Sequence, residues 1–116
     1  MKKLGLIAGN KNFPLLFSSE AKSKDPSLYV VAVGIKGETD RRLSRIVDKL
    51  YWVEIGRLQQ IVDIFLKEQI CDVAMAGQIS PYRIFQDRRA WDDLMHQVVS
   101  NADDFRPHSI FSETNL

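Results

Sequence analysis

Short apolar runs alternate along the chain with segments whose apolar residues recur at helical spacing. The runs occupy residues 4–8, 28–33, 50–55 and 71–76. Each is too short for a helix and is closed by turn-forming residues or charges, so each predicts a short strand. Continuous apolar runs are typical of strands covered on both faces, as in parallel sheets.

The segments between these runs predict amphipathic helices. The clearest is the third, where apolar side chains fall on a single helical face: Leu58, Ile61, Val62, Phe65 and Leu66. The first helix follows residue 12, with Asn12 placed to cap it and Pro14 in its first turn. Its apolar stripe should face the core: Phe13, Leu16, Phe17 and Ala21.

Five further segments carry weaker patterns or lie later in the chain. Residues 39–46 predict a weak helical piece, residues 80–85 a short helix, and residues 91–99 the last full helix. Residues 103–106 predict a loop, and residues 107–116 the opening of one more helix without a C-capping residue after it. That last pattern suggests a fragment or a shortened form of a longer protein.

Strands alternating with helices predict an α/β fold with a parallel sheet of about four strands and helices on both faces. The chain has 116 residues and no repeat or linker-like stretch, so residues 1–116 are expected to form a single domain.

Composition and charge argue against several kinds of protein and of binding site. Lys and Arg number 16 against 15 Asp and Glu, a net charge of +1 that disfavours nucleic-acid binding as the main role. No apolar run approaches the roughly 20 residues of a transmembrane helix. One cysteine and two histidines suit a reducing cytosol and form no zinc set. Cys71, at the start of a predicted strand, is expected to be an inert core thiol.

Two turns are candidate binding elements because each follows a strand and precedes a helix. The first contains Gly9, Asn10 and Lys11, and the second contains Gly77 and Gln78. In an open parallel sheet ligands bind at the carboxyl ends of strands, where helix N-termini favour phosphate. A purely structural role remains open for both, since Gly and Asn also serve simply to reverse the chain.

Known phosphate-binding motifs do not fit these turns. The dinucleotide pattern retains one glycine of three, and residues 34–36 at the end of the second strand offer no acid for a ribose. The P-loop spacing also fails. NAD binding is therefore not expected, and no set of residues can be nominated as catalytic.

Other residues have simpler interpretations. Trp52 and Trp91 are expected to serve packing, although Trp52 at a strand end could line a crevice. The charged cluster within residues 87–93 most simply solvates the outer face of a helix.

Taken together, residues 3–10 with Phe13 and Pro14, residues 55–58 and residues 73–81 resemble the N-terminal part of the LpxI-type UDP-2,3-diacylglucosamine pyrophosphatases. Residues 104–108 are similar to the segment that leads that family's chain onward. The resemblance covers essentially the whole chain. It implies a Rossmann-like three-layer N-terminal domain, joined in the family to a C-terminal catalytic domain that this chain lacks.

The resemblance also implies a function. The family consists of Mg²⁺-dependent hydrolases of lipid A biosynthesis that cleave UDP-2,3-diacylglucosamine to UMP and 2,3-diacylglucosamine 1-phosphate at the cytoplasmic side of the inner membrane, with a dimer as precedent. Gly9, Asn10, Lys11, Gly77 and Gln78 are then expected to face the nucleotide or diphosphate, through backbone N–H groups and the Lys11 charge. The metal ligands and most lipid contacts are expected in the missing domain, because every apolar stripe here is assigned to helix packing.

One departure from the family concerns Lys11, which stands where family members usually carry glycine. With the catalytic half missing, we expect no hydrolysis by this chain and no Mg²⁺ bound by it alone. A nucleotide- or anion-binding or interaction module without catalysis remains an alternative. A truncated gene product without separate activity is another.

Overall fold

The computed structural model describes residues 2–79 and 91–100 and contains a sheet of four strands with three α-helices. The strands are β1 (Lys3–Ala8), β2 (Tyr29–Ile35), β3 (Lys49–Val53) and β4 (Val73–Ala76). The helices are α1 (Phe13–Lys24), α2 (Leu58–Lys67) and α3 (Asp93–Ser100), and a 3₁₀ helix spans Arg41–Arg45. The predicted α/β, Rossmann-like fold is confirmed.

All strand pairs are parallel, and the sheet order is β3-β2-β1-β4. The chain steps from β1 outward to β2 and β3, then returns to place β4 on the other side of β1. The reversal of strand order therefore lies between β1 and β4. Ala8, the last residue of β1, is opposite both Gly34 of β2 and Ala76 of β4. The carboxyl ends of β2, β1 and β4 thus lie together at one edge of the sheet.

The two faces of the sheet carry separate cores because successive β2 side chains point to opposite sides. Val31, Val33 and Ile35 belong to the cluster that includes Ile61 and Phe65 of α2. On the other face, apolar residues of β1 and β2 pack with Leu15 and Phe17 of α1 and with Leu43 of the 3₁₀ helix; they are Leu6, Ala8, Val30 and Ala32. Helices on both faces were predicted and are found.

The prediction of which face of α1 is buried is partly wrong. Its buried residues are Pro14 and Ser18, whereas Phe13 is 42% and Leu16 64% exposed. Asn12 occupies the N-cap position but makes no side-chain capping bond. The helix packs on the sheet through Pro14 and Ser18, with Leu15 and Phe17 beside them, so the side that carries Phe13 and Leu16 is left at the surface. Pro14 lies beside β4: a Cβ atom added to Gly77 would be 3.1 Å from Pro14 Cδ.

Three other expectations need correction. The helical piece at 39–46 is only the 3₁₀ helix, begun by Asp40, whose side chain accepts from the Arg42 N–H. Cys71 is exposed and lies before β4, which begins two residues later than predicted. Trp91 is buried but precedes α3.

Asp92 does not solvate an outer face. Its carboxylate accepts hydrogen bonds from the N–H groups of Gln59, at 2.7 Å, and Met95, at 2.9 Å. It thereby ties the first turn of α2 to that of α3. The predicted elements at residues 80–85 and 103–116, and the charges at 87–89, lie outside the described residues.

Candidate functional site

The two predicted turns lie side by side at the carboxyl edge of the sheet, where the strand order reverses. The Gly9 N–H donates to the carbonyl oxygen of Ala76 at 2.7 Å, and the Asn10 N–H donates to that of Gln78 at 2.6 Å. Two segments nearly 70 residues apart along the chain are thus joined through their main chains. The structure brings Gly9, Asn10, Lys11, Gly77 and Gln78 together.

The turns approach so closely that Gly9 leaves no room for a side chain. A Cβ atom at Gly9 would lie 2.5 Å from the Gln78 carbonyl oxygen and 2.6 Å from its nitrogen. Contacts that short essentially do not occur between a Cβ atom and main chain, so glycine is needed for the backbones to meet. The Gln78 side chain remains exposed at the surface of this junction.

These bonds change the expected roles of the backbone amides. The sequence predicted that N–H groups of Gly9 and Asn10 would face an anion, but both already donate to carbonyl groups of the chain. The first turn of α1 supplies other donors: the N–H groups of Phe13 and Leu15 precede the first intrahelical bond, which Leu16 makes to Asn12. The positive end of the α1 dipole lies at the same place.

Lys11 is exposed on the turn and adopts a left-handed conformation with φ of 65°. Few residues other than glycine adopt this region, and the cost is about 1–2 kcal/mol. The conformation gives a structural reason for glycine to suit this position. In this chain the position instead places an ammonium group beside the N-terminus of α1.

The side chain of Asn10 links the turn to the loop after β2. Its Nδ2 donates to Oε1 of Glu38 at 3.2 Å, while its Oδ1 is buried and finds no hydrogen-bond partner among residues 2–79 and 91–100. Glu38 was missed in the sequence, because it follows the end of β2 by three residues and its link to Asn10 spans 28 positions.

Thr39 fastens the same loop to β1. Its hydroxyl donates to the Ala8 carbonyl and accepts from the Ile35 N–H, both at 2.8 Å. Thr39 is 7% exposed, so these bonds are shielded from water. The loop after β2 is consequently held against the residue that precedes Gly9.

Beside this loop lies an open cleft of about 600 Å³. Its lining comes from the β2 loop, the 3₁₀ helix and the end of β3: Lys36, Gly37, Glu38, Thr39, Arg41 and Trp52. Trp52 is 37% exposed, which confirms the expectation that it could line a crevice. Gly34 makes room for the indole, since a Cβ there would lie 2.9 Å from Trp52 Cζ3.

A second, more apolar groove of about 530 Å³ runs along α1. Phe13, Leu16, Phe17 and Ala21 line it, with Glu20 and Lys24 at its polar margin. The expectation that all apolar stripes are consumed by packing is therefore wrong for Phe13 and Leu16. The groove begins two residues after Lys11.

The described residues do not fit a metal centre. Within residues 2–79 and 91–100, no three side chains of His, Cys, Asp or Glu come together as metal ligands. In the same part of the chain, no helix is long and apolar enough to cross a membrane.

A parallel sheet whose order reverses between two joined glycine turns defines a doubly wound α/β domain, a class that binds nucleotides and other phosphate-bearing ligands at this edge. Comparison with protein-family models then identifies the branch of this class. The chain belongs to the LpxI N-terminal domain family, whose model matches residues 3–114. This confirms the resemblance seen in the sequence. A search of curated proteins finds no significant match.

Proposed function

We propose that this chain is the substrate-binding N-terminal domain of a UDP-2,3-diacylglucosamine pyrophosphatase of lipid A biosynthesis. In such an enzyme a Mg²⁺-dependent C-terminal domain hydrolyses the substrate to UMP and 2,3-diacylglucosamine 1-phosphate. The observation that carries the proposal is the direct bonding of the turn after β1 to the turn after β4 at the reversal of the sheet. Membership of the LpxI N-terminal domain family supports the choice of this ligand.

The diphosphate is placed over the joined turns. Gly9, Asn10 and Gly77 shape the junction, while the groups available to an anion are the Lys11 ammonium, the Gln78 side chain and the first-turn amides of α1. A positive side chain and a helix N-terminus favour the same negative charge. The apolar groove along α1, which starts beside Lys11, gives an acyl chain of the same substrate a surface on this domain.

Catalysis is assigned to the other domain. Hydrolysis of a diphosphate needs a metal to neutralise developing charge and a positioned water. The described residues offer no ligand cluster for that metal. In the proposed division of roles, this chain binds and orients the substrate in the cytoplasm beside the inner membrane, and the C-terminal domain supplies the Mg²⁺ and the hydrolytic step.

The test is a titration of the isotope-labelled 116-residue chain with UDP, followed by NMR. The amide signals of Lys11, Gln78 and the first turn of α1 should shift. Lys11→Ala should weaken UDP binding about fivefold. The matched control is Lys24→Ala at the opposite end of α1, which should leave the affinity unchanged.

Two results would reject the proposal. The first is UDP binding that leaves the signals of both turns unmoved, and the second is no binding at all; either favours an interaction module. Incubation with Mg²⁺ and UDP-2,3-diacylglucosamine should release no UMP from this chain alone. Release should appear when the C-terminal domain of an LpxI-family protein is added. Release without that domain would contradict the assignment of roles.

A further inference from the structure

We propose that residues 91–100, here called the α3 unit, detach from α2 and return as one body while the sheet stays folded. The α3 unit comprises Trp91, Asp92 and the helix α3. This inference is independent of the proposed function, because it involves neither of the joined turns. It gives the domain a movable element that opens without disturbing those turns.

Asp92 is the first attachment between the α3 unit and α2. Oδ2 of its carboxylate accepts from the Gln59 N–H at 2.7 Å, and Oδ1 accepts from the Met95 N–H at 2.9 Å. The main-chain N–H of Asp92 also donates to the Gly56 carbonyl at 3.0 Å. A single side chain therefore supplies N-terminal capping bonds to two helices.

The same carboxylate compensates the charge of both helix N-termini. Gln59 lies in the first turn of α2 and Met95 in the first turn of α3, so the positive ends of two helix dipoles meet at Asp92. Two such ends repel each other unless a negative group lies between them. Loss of this carboxylate therefore weakens the contact between the helices as well as the first turn of each.

Trp91 is the second attachment. A Cβ atom added to Gly56 would lie 2.4 Å from Trp91 Cδ1, so the indole rests directly on the loop after β3. The centroids of the Trp91 and His96 rings lie 5.1 Å apart, which ties the indole to the helix. Among the side chains described in the α3 unit, Trp91 and Met95 are buried, and both join the core cluster that α2 contributes to. Two side chains thus anchor the whole unit.

Helix α3 is too short to persist alone. It has 8 residues, and isolated helices shorter than about 12–15 residues are marginal in water. Detachment from α2 therefore also unwinds the helix, which makes the opening all-or-none. The sheet differs, because Val31 and Val33 of β2 are 0% exposed and are paired on both sides. Opening of the α3 unit should accordingly cost less free energy than unfolding of the sheet.

Amide hydrogen exchange of the 116-residue chain, followed by NMR at low urea concentrations, tests this proposal. The His96 amide is the main reporter, because it bonds to the Asp92 main-chain carbonyl and not to the carboxylate. In wild type, the His96, Met95 and Gln59 amides should share one protection factor, lower than that of Val31. Their exchange should also depend less on urea, since detachment of the α3 unit exposes less surface than unfolding of the sheet.

Two variants then separate the α3 unit from the sheet. Asp92→Ala should speed exchange at His96 about tenfold, because it removes capping bonds from two helices. Thr39→Val removes buried hydrogen bonds to β1 and β2, so it should speed exchange in β2 and leave His96 unchanged. Asp93→Ala is the matched control for charge, since Asp93 is exposed in the first turn of α3, and its effect should be smaller.

If Asp92→Ala fails to fold, Gly56→Ala takes its place. The added methyl group would displace Trp91 and should speed exchange at His96. Gly37→Ala carries similar backbone strain, with a φ of 82° against 86° for Gly56, and should leave His96 unchanged. The comparison isolates the contact of the indole with the loop after β3.

Three results would overturn the proposal. One is a His96 amide that exchanges no faster than Val31 in wild type. Another is equal acceleration of His96 and Val31 by Thr39→Val, which would mean that the α3 unit opens only when the whole domain unfolds. The third is exchange at His96 that neither Asp92→Ala nor Gly56→Ala changes.

Discussion

Gly77 and Asn10 are packed so closely that a Cβ atom added to Gly77 would lie 2.7 Å from the Asn10 carbonyl oxygen. Gly77 also has a positive φ of 86°. The turn after β4 therefore needs glycine for two independent reasons, its conformation and its neighbour.

Replacement of Gly77 by alanine separates these reasons when it is compared with Gly37→Ala. Gly37 has a similar φ of 82° but lies exposed on the loop after β2, so its variant carries only the conformational strain. We expect Gly37→Ala to lower the free energy of unfolding by about 1 kcal/mol. Gly77→Ala should lose a further amount of about 1–3 kcal/mol. Urea denaturation measures both, and equal losses would contradict the close packing of the turns.

The Thr39 hydroxyl can be tested with a nearly isosteric substitution. Thr39→Val removes the bonds to the Ala8 carbonyl and the Ile35 N–H and leaves both groups buried without their partner. We expect a loss of about 1–3 kcal/mol in the free energy of unfolding.

Thr39→Ser is the control, because serine keeps the hydroxyl and loses only a methyl group. It should retain most of the stability in urea denaturation. If valine and serine destabilise equally, the methyl contact rather than the hydrogen bonds anchors the loop.

The left-handed conformation of Lys11 predicts opposite effects on stability and binding. Lys11→Gly should raise the free energy of unfolding by up to about 1 kcal/mol, because glycine adopts a φ of 65° without strain. Lys11→Ala keeps the strain and should not stabilise. Both variants lose the ammonium group, so calorimetry should show the same weakening of pyrophosphate binding. A stabilising alanine would show that the conformation of this residue is not the cause.

Glu68 predicts a pH dependence of stability. Hydrogen bonds from the Tyr51 hydroxyl and then from Lys49 hold the pKa of Glu68 below its ordinary 4.5. A carboxyl group with a lowered pKa in the folded state contributes its stability above the unfolded pKa and loses it as the pH falls through the folded one.

Unfolding in urea at pH 7 and at successively lower pH below 4.5 measures this effect. Wild type should lose more stability over that interval than Glu68→Gln, whose side chain does not titrate. The matched control is Glu20→Gln, whose exposed ion pair with Lys24 spans 3.6 Å and should contribute little. Parallel acid profiles for wild type and Glu68→Gln would contradict the assignment.

The strands and the position of both turns could be predicted from the sequence, because continuous apolar runs closed by glycine leave few other folds. The sheet order could not, since nothing local in residues 73–76 determines which edge of β1 they join. The meeting of Gly9 with Gln78 follows only once that order is known. The ligand named in the proposed function rests on the family resemblance, since the turns alone leave it open.

The predictions that were wrong share one physical origin, which is contacts between residues far apart in the sequence. Phe13 and Leu16 have the spacing of a buried stripe, but the helix packs on the sheet through Pro14 and Ser18 instead. Asp92 belongs to a charged cluster that looks solvent-facing, yet it accepts from the Gln59 N–H of a helix 33 residues away. Such partners cannot be inferred from neighbouring residues.

Gln78 contributes its carbonyl oxygen to the junction with Asn10 while its side chain faces solvent. The side chain at position 78 therefore takes no part in the hydrogen bond that joins the two turns. Under the proposed function, a substitution at position 78 would change the contact with the ligand while the main-chain bond between the two turns stays in place.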